Sequence, residues 1–227
     1  MGIDSAAVRT LTFDSFTTIV DVIGSTNRAL SAHLDEPEPV TRLWRHRAVE
    51  YRMLGNFVDP YETYYETTRD ALRYALRSSG IDLSPEEIDE VTSVFYELDV
   101  FEDVYECFET LARKGYDSYI LSNGDAELLE AMVDRAAISE FIADTISAEE
   151  IQTYKPDVEF YRYAEERTDT AAENVLHVAT PWYDIYGAAN VGMQTVWVNR
   201  TNSPWEEFEG EPDAVIDSLA ELPTLLD

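Results

Sequence analysis

The chain of 227 residues contains little cysteine and no long hydrophobic run. Its single cysteine, Cys107, cannot form a disulfide within the chain, and no second cysteine accompanies a histidine in a zinc-ligand pattern. No stretch approaches the roughly 18 apolar residues of a membrane span, and the first residues lack the pattern of a signal peptide. We therefore expect a cytoplasmic protein without a zinc site, in which Cys107 fills the core.

Positive charge is scarce as well: 16 Lys and Arg stand against 46 Asp and Glu, for a formal net charge of -30. Such a surface repels phosphates, which argues against nucleic acids or anionic membranes as partners. The acids are spread along the whole chain, and only Lys114 and Lys155 are lysines. This composition is typical of a halophile, because high salt screens the self-repulsion of an acidic surface.

Four β-rich runs alternate with helical patterns, which predicts a mostly parallel α/β sheet. The runs are VRTLTFD, DSYILSN, NVLHVAT and QTVWVNR. About a hundred residues between the first two runs show helical spacing instead, in RLWRHRAVEYRMLGNF, PYETYYETTRDALRYALRSSG and SPEEIDEVTSVFYEL. We predict a Rossmann-like core of residues 1–19 and 99–227, with a helical cap of residues 20–98.

Polar residues follow several of the predicted strands, at the sheet edge where open α/β folds bind ligands. They are Asp14, Ser122, Asn123, Lys155 and Asp184. Each alone fits an ordinary cap or turn. Together they place two carboxylates and one ammonium at one edge, where Lys155 is expected to lower the pKa of Asp14 and keep it ionised. An ionised carboxylate that is shielded from water can act as a nucleophile.

The chain resembles the haloacid dehalogenase superfamily and, within it, the L-2-haloacid dehalogenase (type II) branch. The resemblance rests on FDSFTT, LWRHRAVEYRML, LSNGD, YKPDVEFY and HVATPWYDIYGAANVGMQTVWVNR, in this order and spacing. It implies a Rossmann-like core with an inserted helical cap, and it makes Asp14 the nucleophile that displaces halide from the α-carbon of a short 2-haloacid. Hydrolysis of the aspartyl ester would then give a 2-hydroxyacid of inverted configuration.

The resemblance also assigns roles to other residues of the core. Thr18 matches the hydroxyl that holds the nucleophile, and Lys155 matches the cation beside it, with Tyr161 as a nearby tyrosine. Ser122 and Asn123 match residues that bind the substrate carboxylate and line the halide site.

In the predicted cap, Arg45 matches the arginine that receives the leaving halide. In the predicted core, Tyr183 falls where the family has an aromatic side chain against the halide. Packing explains Tyr183 nearly as well. The neighbouring Arg42, Arg47 and Arg52 are expected to be surface cations of the helix.

Position 16 separates this branch from the superfamily's phosphatases. Those enzymes place a second Asp two residues after the nucleophile, as a general acid, and hold Mg²⁺ with further acids. Phe16 stands there in this chain, which suits an apolar pocket for an alkyl halide that leaves without a proton. We therefore expect no metal and no cofactor.

The chain departs from the branch in the loop before Asp184. Where the family has Ser and Asn, this chain has Ala179 and Pro181, and Thr180 could supply a hydroxyl only from a shifted backbone. Thr17 also replaces a usual Gly. In the family, the missing Ser and Asn hold the lysine and aspartate and shape the site of ester hydrolysis, so Asp184 is the part of this motif that remains.

Three functions stay open on sequence alone. The first is hydrolysis of short 2-haloacids, in which Lys155 and Asp184 organise charge and water. The second is related ester chemistry on another substrate, or a weak phosphatase activity. The third is a non-catalytic small-anion binder that traps the ester. Homodimerisation is plausible from the resemblance.

Overall fold

A six-stranded parallel sheet forms the centre of the protein, as described by a computed structural model for residues 2–207 and 209–227. The strands are β1 (Thr10–Phe13), β2 (Val20–Asp21), β3 (Asp99–Val100), β4 (Asp117–Ser122), β5 (Asp144–Ser147), β6 (Val175–Ala179), β7 (Gln194–Val198) and β8 (Ala214–Ile216). The order in the main sheet is β5-β4-β1-β6-β7-β8. This confirms the predicted α/β fold.

The four predicted strands correspond to β1, β4, β6 and β7, and the prediction missed β5 and β8 at the two edges of the sheet. Both edge strands are short, with the sequences DTIS and AVI, so neither gives a run long enough to show a strand period. In the centre, β1 pairs with β4 on one side and with β6 on the other. The chain adds β4 and β5 on one side of β1 and then β6, β7 and β8 on the other, and ligand sites of open α/β sheets lie at such a switch point.

Helices cover the sheet and fill the insert. They are α1 (Val22–Ser31), α2 (Glu38–Gly55), α3 (Tyr64–Ser78), α4 (Pro85–Thr92), α5 (Val104–Arg113), α6 (Ala126–Ala136), α7 (Val158–Thr168), α8 (Trp182–Asn190) and α9 (Leu222–Leu225). The predicted helices of the insert are confirmed as α2, α3 and α4. Ser84 caps α4 in a reciprocal capping box with Glu87, as its sequence indicates.

The insert begins and ends at a short antiparallel ladder, in which β2 pairs with β3. Helices α1 to α4 lie between these strands in the chain. Buried apolar side chains of the insert, such as Trp44 and Leu72, belong to the same hydrophobic cluster as Phe13 of the sheet. The division into a core and a cap of residues 20–98 therefore stays a prediction, with the β2–β3 ladder as its natural base.

Two smaller expectations concern Cys107 and membrane spans. Cys107 on α5 is a free, buried thiol whose pKa is raised to about 12 by burial, so its predicted place in the core is confirmed. Within residues 2–207 and 209–227, every helix is too short or too polar to cross a membrane.

Candidate active site

Asp14 leaves the end of β1 and is buried, with 5% of its surface exposed. Its backbone N–H donates to the carbonyl of Val178 on β6 at 3.0 Å, which continues the sheet by one residue. The hydroxyl of Thr18 donates to Asp14 Oδ2 at 2.9 Å. Thr17 between them has a φ of 72°, an unusual conformation for a β-branched residue. The tight turn thus brings Thr18 back onto the carboxylate, as the motif predicts.

Lys155 joins Asp14 to the second aspartate. Its Nζ donates to Asp14 Oδ1 at 3.1 Å, to Asp184 Oδ2 at 2.6 Å and to the carbonyl of Leu121 at 2.6 Å. The side chain is 1% exposed. An ammonium has three N–H donors, so each has an acceptor. The predicted convergence of two carboxylates and one ammonium is present, and the lysine is held rigidly.

Asp184 lies in the first turn of α8 and is fully buried. Its Oδ1 accepts a hydrogen bond from the Tyr161 hydroxyl at 2.9 Å and contacts His177 Nε2 at 2.9 Å. The other ring nitrogen of His177 contacts the Thr12 hydroxyl at 2.9 Å. Gly187 is required here, because an added Cβ would lie 2.5 Å from the Tyr161 hydroxyl. Both carboxylate oxygens of Asp184 are therefore fixed.

The pKa values of the two carboxylates shift in opposite directions. Burial disfavours the ionised form of Asp184, but hydrogen bonds and charge from His177 and Lys155 outweigh it and hold its pKa at about 2. Burial raises the pKa of Asp14, and the charge of Asp184 adds to this effect, against the attraction of Lys155. The expectation of a lowered Asp14 pKa is therefore wrong. The ammonium of Lys155 offsets the charge of Asp184, so ionisation of Asp14 adds a net negative charge to the site.

The polar side chains of the loop after β4 form hydrogen bonds within the protein. The Ser122 hydroxyl is 2.6 Å from the Ser15 hydroxyl and accepts the Gly124 N–H at 3.0 Å. The Asn123 Oδ1 accepts the backbone N–H of Lys155 at 2.8 Å, which positions the lysine. Among the described residues, the Asn123 Nδ2 amide has no acceptor, so this group is free to bind a ligand.

Three further predicted residues are Phe16, Arg45 and Tyr183. Phe16 stacks on Tyr64 of α3 with ring centroids 4.4 Å apart. The Arg45 guanidinium is 5.9 Å from the ring of Phe95, and its buried Nη1 has no hydrogen-bond partner in the described part of the chain. Tyr183 is half-buried, and burial raises the pKa of its phenol. Within the described ranges, neither Arg45 nor Tyr183 is hydrogen-bonded to the Asp14–Lys155–Asp184 cluster.

The expectation for the other arginines of α2 holds only in part. Arg42 is exposed, and Arg47 is half-buried with an ion pair to Glu50 at 2.7 Å. Arg52 is 3% exposed, so its expected place on the surface is wrong. It lies on the same face of the helix as Arg45, about two turns away, and this face packs inward. The spacing from Arg45 could have indicated burial.

Sequence reasoning also missed His177 and the part played by Thr180. His177 stands in the apolar run NVLHVAT, and a polar ring in a buried strand requires hydrogen-bond partners, which was the available signal. The Thr180 N–H donates to the Thr18 hydroxyl at 2.9 Å, and the Thr180 hydroxyl donates to the Thr17 carbonyl at 3.1 Å. Thr180 therefore holds the turn after Asp14, and among the described residues it makes no hydrogen bond to Lys155.

A parallel sheet that presents a buried Asp–Lys–Asp cluster at its central carboxyl edge, with helices inserted after the first strand, is a Rossmann-like α/β fold with a polar site where such folds bind ligands. Residues 19–198 match the family described as haloacid dehalogenase-like hydrolase. An (S)-2-haloacid dehalogenase of Pseudomonas sp. (strain CBS-3) is 31% identical, over 96% of this chain and 96% of that protein. The chain belongs to the haloacid dehalogenase-like hydrolase family.

Solved structures agree with this assignment. The crystal structure of a dehalogenase has a TM-score of 0.92 and 30% identity, covering 99% of this chain and 98% of that one. The L-2-haloacid dehalogenase of Xanthobacter autotrophicus with chloropropionic acid covalently bound has a TM-score of 0.88 and 25% identity, covering 96% of this chain and 98% of that one.

Proposed function

We propose that the protein hydrolyses short 2-haloalkanoic acids to 2-hydroxyacids and halide through an ester on Asp14. The observation that carries the proposal is the buried ammonium of Lys155, held between the carboxylates of Asp14 and Asp184. The first step forms a bond between an Asp14 oxygen and the α-carbon, while the carbon–halogen bond breaks and halide leaves with the electron pair. Inversion at carbon follows from attack opposite the leaving group.

The surroundings of Asp14 suit this displacement. Burial removes water from the carboxylate, and the hydrogen bonds from Thr18 and Lys155 fix its direction. The raised pKa of Asp14 makes its ionised form a stronger base, which favours attack on carbon. Phe16 offers an apolar wall and no proton, and a halide leaving group needs none.

Water completes the reaction by attacking the carboxyl carbon of the Asp14 ester. One proton of the water passes to the hydroxyacid oxygen as its bond to that carbon breaks, the other is released to solvent, and the Asp14 carboxylate is restored. We propose that Asp184 and Lys155 bind and polarise this water. His177 and Tyr161 both contact Oδ1 of Asp184, and they supply the rigidity that Ala179 and Pro181 do not give. The hydrolytic half-reaction therefore remains available.

Unpartnered N–H groups provide the place for the departing halide. They are Nη1 of Arg45 and Nδ2 of Asn123, as far as the described ranges show. Each has donors and no competing acceptor, as an anion requires. Arg45 therefore takes the halide from the cap, and Asn123 takes it from the sheet edge.

The decisive experiment measures halide release from L- and D-2-chloropropionate, with and without EDTA or added Mg²⁺. We expect turnover of one enantiomer that metal does not change, because the ammonium of Lys155 occupies the space between the two carboxylates. Phosphate release from a phosphomonoester that rises with Mg²⁺ would contradict this reaction. A stoichiometric adduct on Asp14 without product would instead identify an ester trap.

We also propose an environment and an oligomeric state for the protein. A net charge of -30 supports a halophilic cytoplasm as its environment, without nucleic-acid or membrane partners. The end of α2 and the following turn expose Leu54, Phe57 and Val58, an apolar patch suited to a homodimer contact. Light scattering in molar potassium chloride tests the dimer, and thermal unfolding at low and high salt tests the halophilic character.

A further inference from the structure

Arg52 is a buried cation that forms no ion pair within the described ranges, and Asp125 is a carboxylate whose charge acts on it from a longer distance. Its Nη1 donates long hydrogen bonds to the hydroxyls of Thr68 and Thr67, at 3.2 and 3.4 Å. In the described ranges, no carboxylate oxygen lies within 4.0 Å of its guanidinium nitrogens. Removing an ion from water costs several kcal/mol unless a partner offsets it. The structure therefore keeps a positive charge ready for an anion from outside the chain.

Contacts place this cation beside the active site. The guanidinium lies 4.1 Å from the centre of the Tyr64 ring, and that ring stacks on Phe16 in the nucleophile loop. The Tyr64 hydroxyl is itself buried without a hydrogen-bond partner among the described residues. Burial raises the pKa of Tyr183, Arg52 opposes this rise and Asp14 adds to it, so both charges act on one phenol. Arg52 and Asp14 thus face the same interior region.

We propose that Arg52, together with the Tyr64 hydroxyl, binds the carboxylate of the haloacid substrate, an assignment that rests on the proposed function. A guanidinium binds a carboxylate through parallel N–H donors, and a phenol adds one more donor. The sheet edge offers few other donors for this group, because Asn123 Nδ2 is assigned to the halide and the Ser122 hydroxyl is shared with Ser15.

The number of cap cations also fits the charges of the reaction. The substrate brings one carboxylate, and displacement transfers the charge of Asp14 to the departing halide. Arg45 and Arg52, on one face of α2, provide one cation for each anion. An exterior with a net charge of -30 repels anionic substrates, so binding depends on cations inside the site.

Arg52→Gln tests the assignment against a matched arginine. Arg47 lies on the same helix and stacks on Tyr74 of α3 at 4.2 Å, but it is paired with Glu50. With L-2-chloropropionate in potassium sulfate, R52Q should raise KM roughly tenfold or more with little change in kcat, since a hydrogen bond to a charged group contributes about 1.5–3 kcal/mol. R47Q should keep the KM of the parent protein.

A neutral substrate separates lost charge recognition from general damage. With the uncharged 2-chloropropionamide, R52Q should keep the kcat/KM of the parent protein, so its preference for the acid over the amide falls roughly tenfold. An equal loss on acid and amide would overturn the proposal. If R52Q does not fold, Tyr64→Phe removes only one hydroxyl and should raise KM for the acid alone, and unchanged kinetics in Y64F would overturn it.

A binding measurement without turnover separates this inference from the proposed function. Propionate, which carries the carboxylate but no halogen, should raise the Tm of the parent protein and of R47Q, and should fail to do so for R52Q. Equal stabilisation of R52Q would refute the role of Arg52 even if halide is released normally. Loss of bromide binding with propionate binding retained would assign Arg52 to the halide and likewise refute it. Absence of halide release by the parent protein would count against the proposed function alone.

Discussion

Replacing Asp184 with asparagine should destabilise the protein by an amount that follows from its pKa. Asp184 has a pKa of about 2 against an ordinary value of 3.8. Each pKa unit corresponds to about 1.4 kcal/mol, so ionisation of Asp184 stabilises the fold by about 2.5 kcal/mol at neutral pH. For a chain of this size, D184N should lower the Tm by roughly 5–10 °C. The amide also turns a donor toward Lys155, which adds to the cost.

The pH dependence gives the sign of the effect. Asp184 has a depressed pKa in the folded state, so its contribution is complete above the unfolded value of 3.8 and is lost as pH falls through about 2. The difference in unfolding free energy between the parent protein and D184N should therefore be constant from pH 7 to pH 5 and shrink below. Urea denaturation at a series of pH values, in fixed high salt, measures it.

Asp14→Asn is the matched control, since it removes the other partner of Lys155. Burial raises the pKa of Asp14, so its ionised form opposes folding at neutral pH and D14N should be at least as stable as the parent protein. Its turnover should be abolished because an amide is a poor nucleophile. If D14N and D184N lost equal stability, the unequal division of charge in the cluster would be refuted.

Three further predictions concern the same cluster. Activity should fall as pH decreases through a pKa above the ordinary 3.8 of an aspartate, because burial holds Asp14 protonated to a higher pH; a kcat/KM profile with its acid limb at or below 3.8 would contradict this. His177→Phe should slow hydrolysis of the Asp14 ester more than its formation, so that ester accumulates in mass spectra, whereas H177Q should restore part of the rate; equal slowing of both steps would argue against a role in holding Asp184. Gly187→Ala should displace Tyr161 from Asp184 and lower kcat by roughly tenfold or more. Ala188→Gly on the same helix is the control and should keep its activity. A loss of activity in A188G that is not seen in G187A would point to the stability of the helix instead.

The residues that carry the predicted chemistry could be found from the sequence because each stands where a predicted strand or helix ends or begins. Asp14 and Asp184 follow β-rich runs, and Lys155 is a rare lysine directly before a proline. Parallel strands bring such points to one edge, so order along the chain was enough to predict their meeting. The edge strands β5 and β8 were not predicted because their sequences are too short to show the alternation of a strand.

The pKa of Asp14 and the burial of Arg52 could not be read in the same way. A lysine beside an aspartate lowers its pKa in isolation, but the sign here depends on Asp184, on burial and on the acceptors that Lys155 already has. Arg52 stands among other arginines in α2, and only packing of α2 against α3 determines which of them lies inside.

The amino-acid sequence determined the order of strands and helices, the acidic surface and the identity of the polar groups at the sheet edge, because periodicity and local propensity act over short distances. Tertiary structure decided that Asp184 is the carboxylate with the lowered pKa, that His177 and Tyr161 contact it, and that a second arginine of α2, Arg52, is buried without an ion pair among the described residues. These properties depend on distances between residues far apart in the chain, and in a low-dielectric interior such distances set the sign of an electrostatic effect.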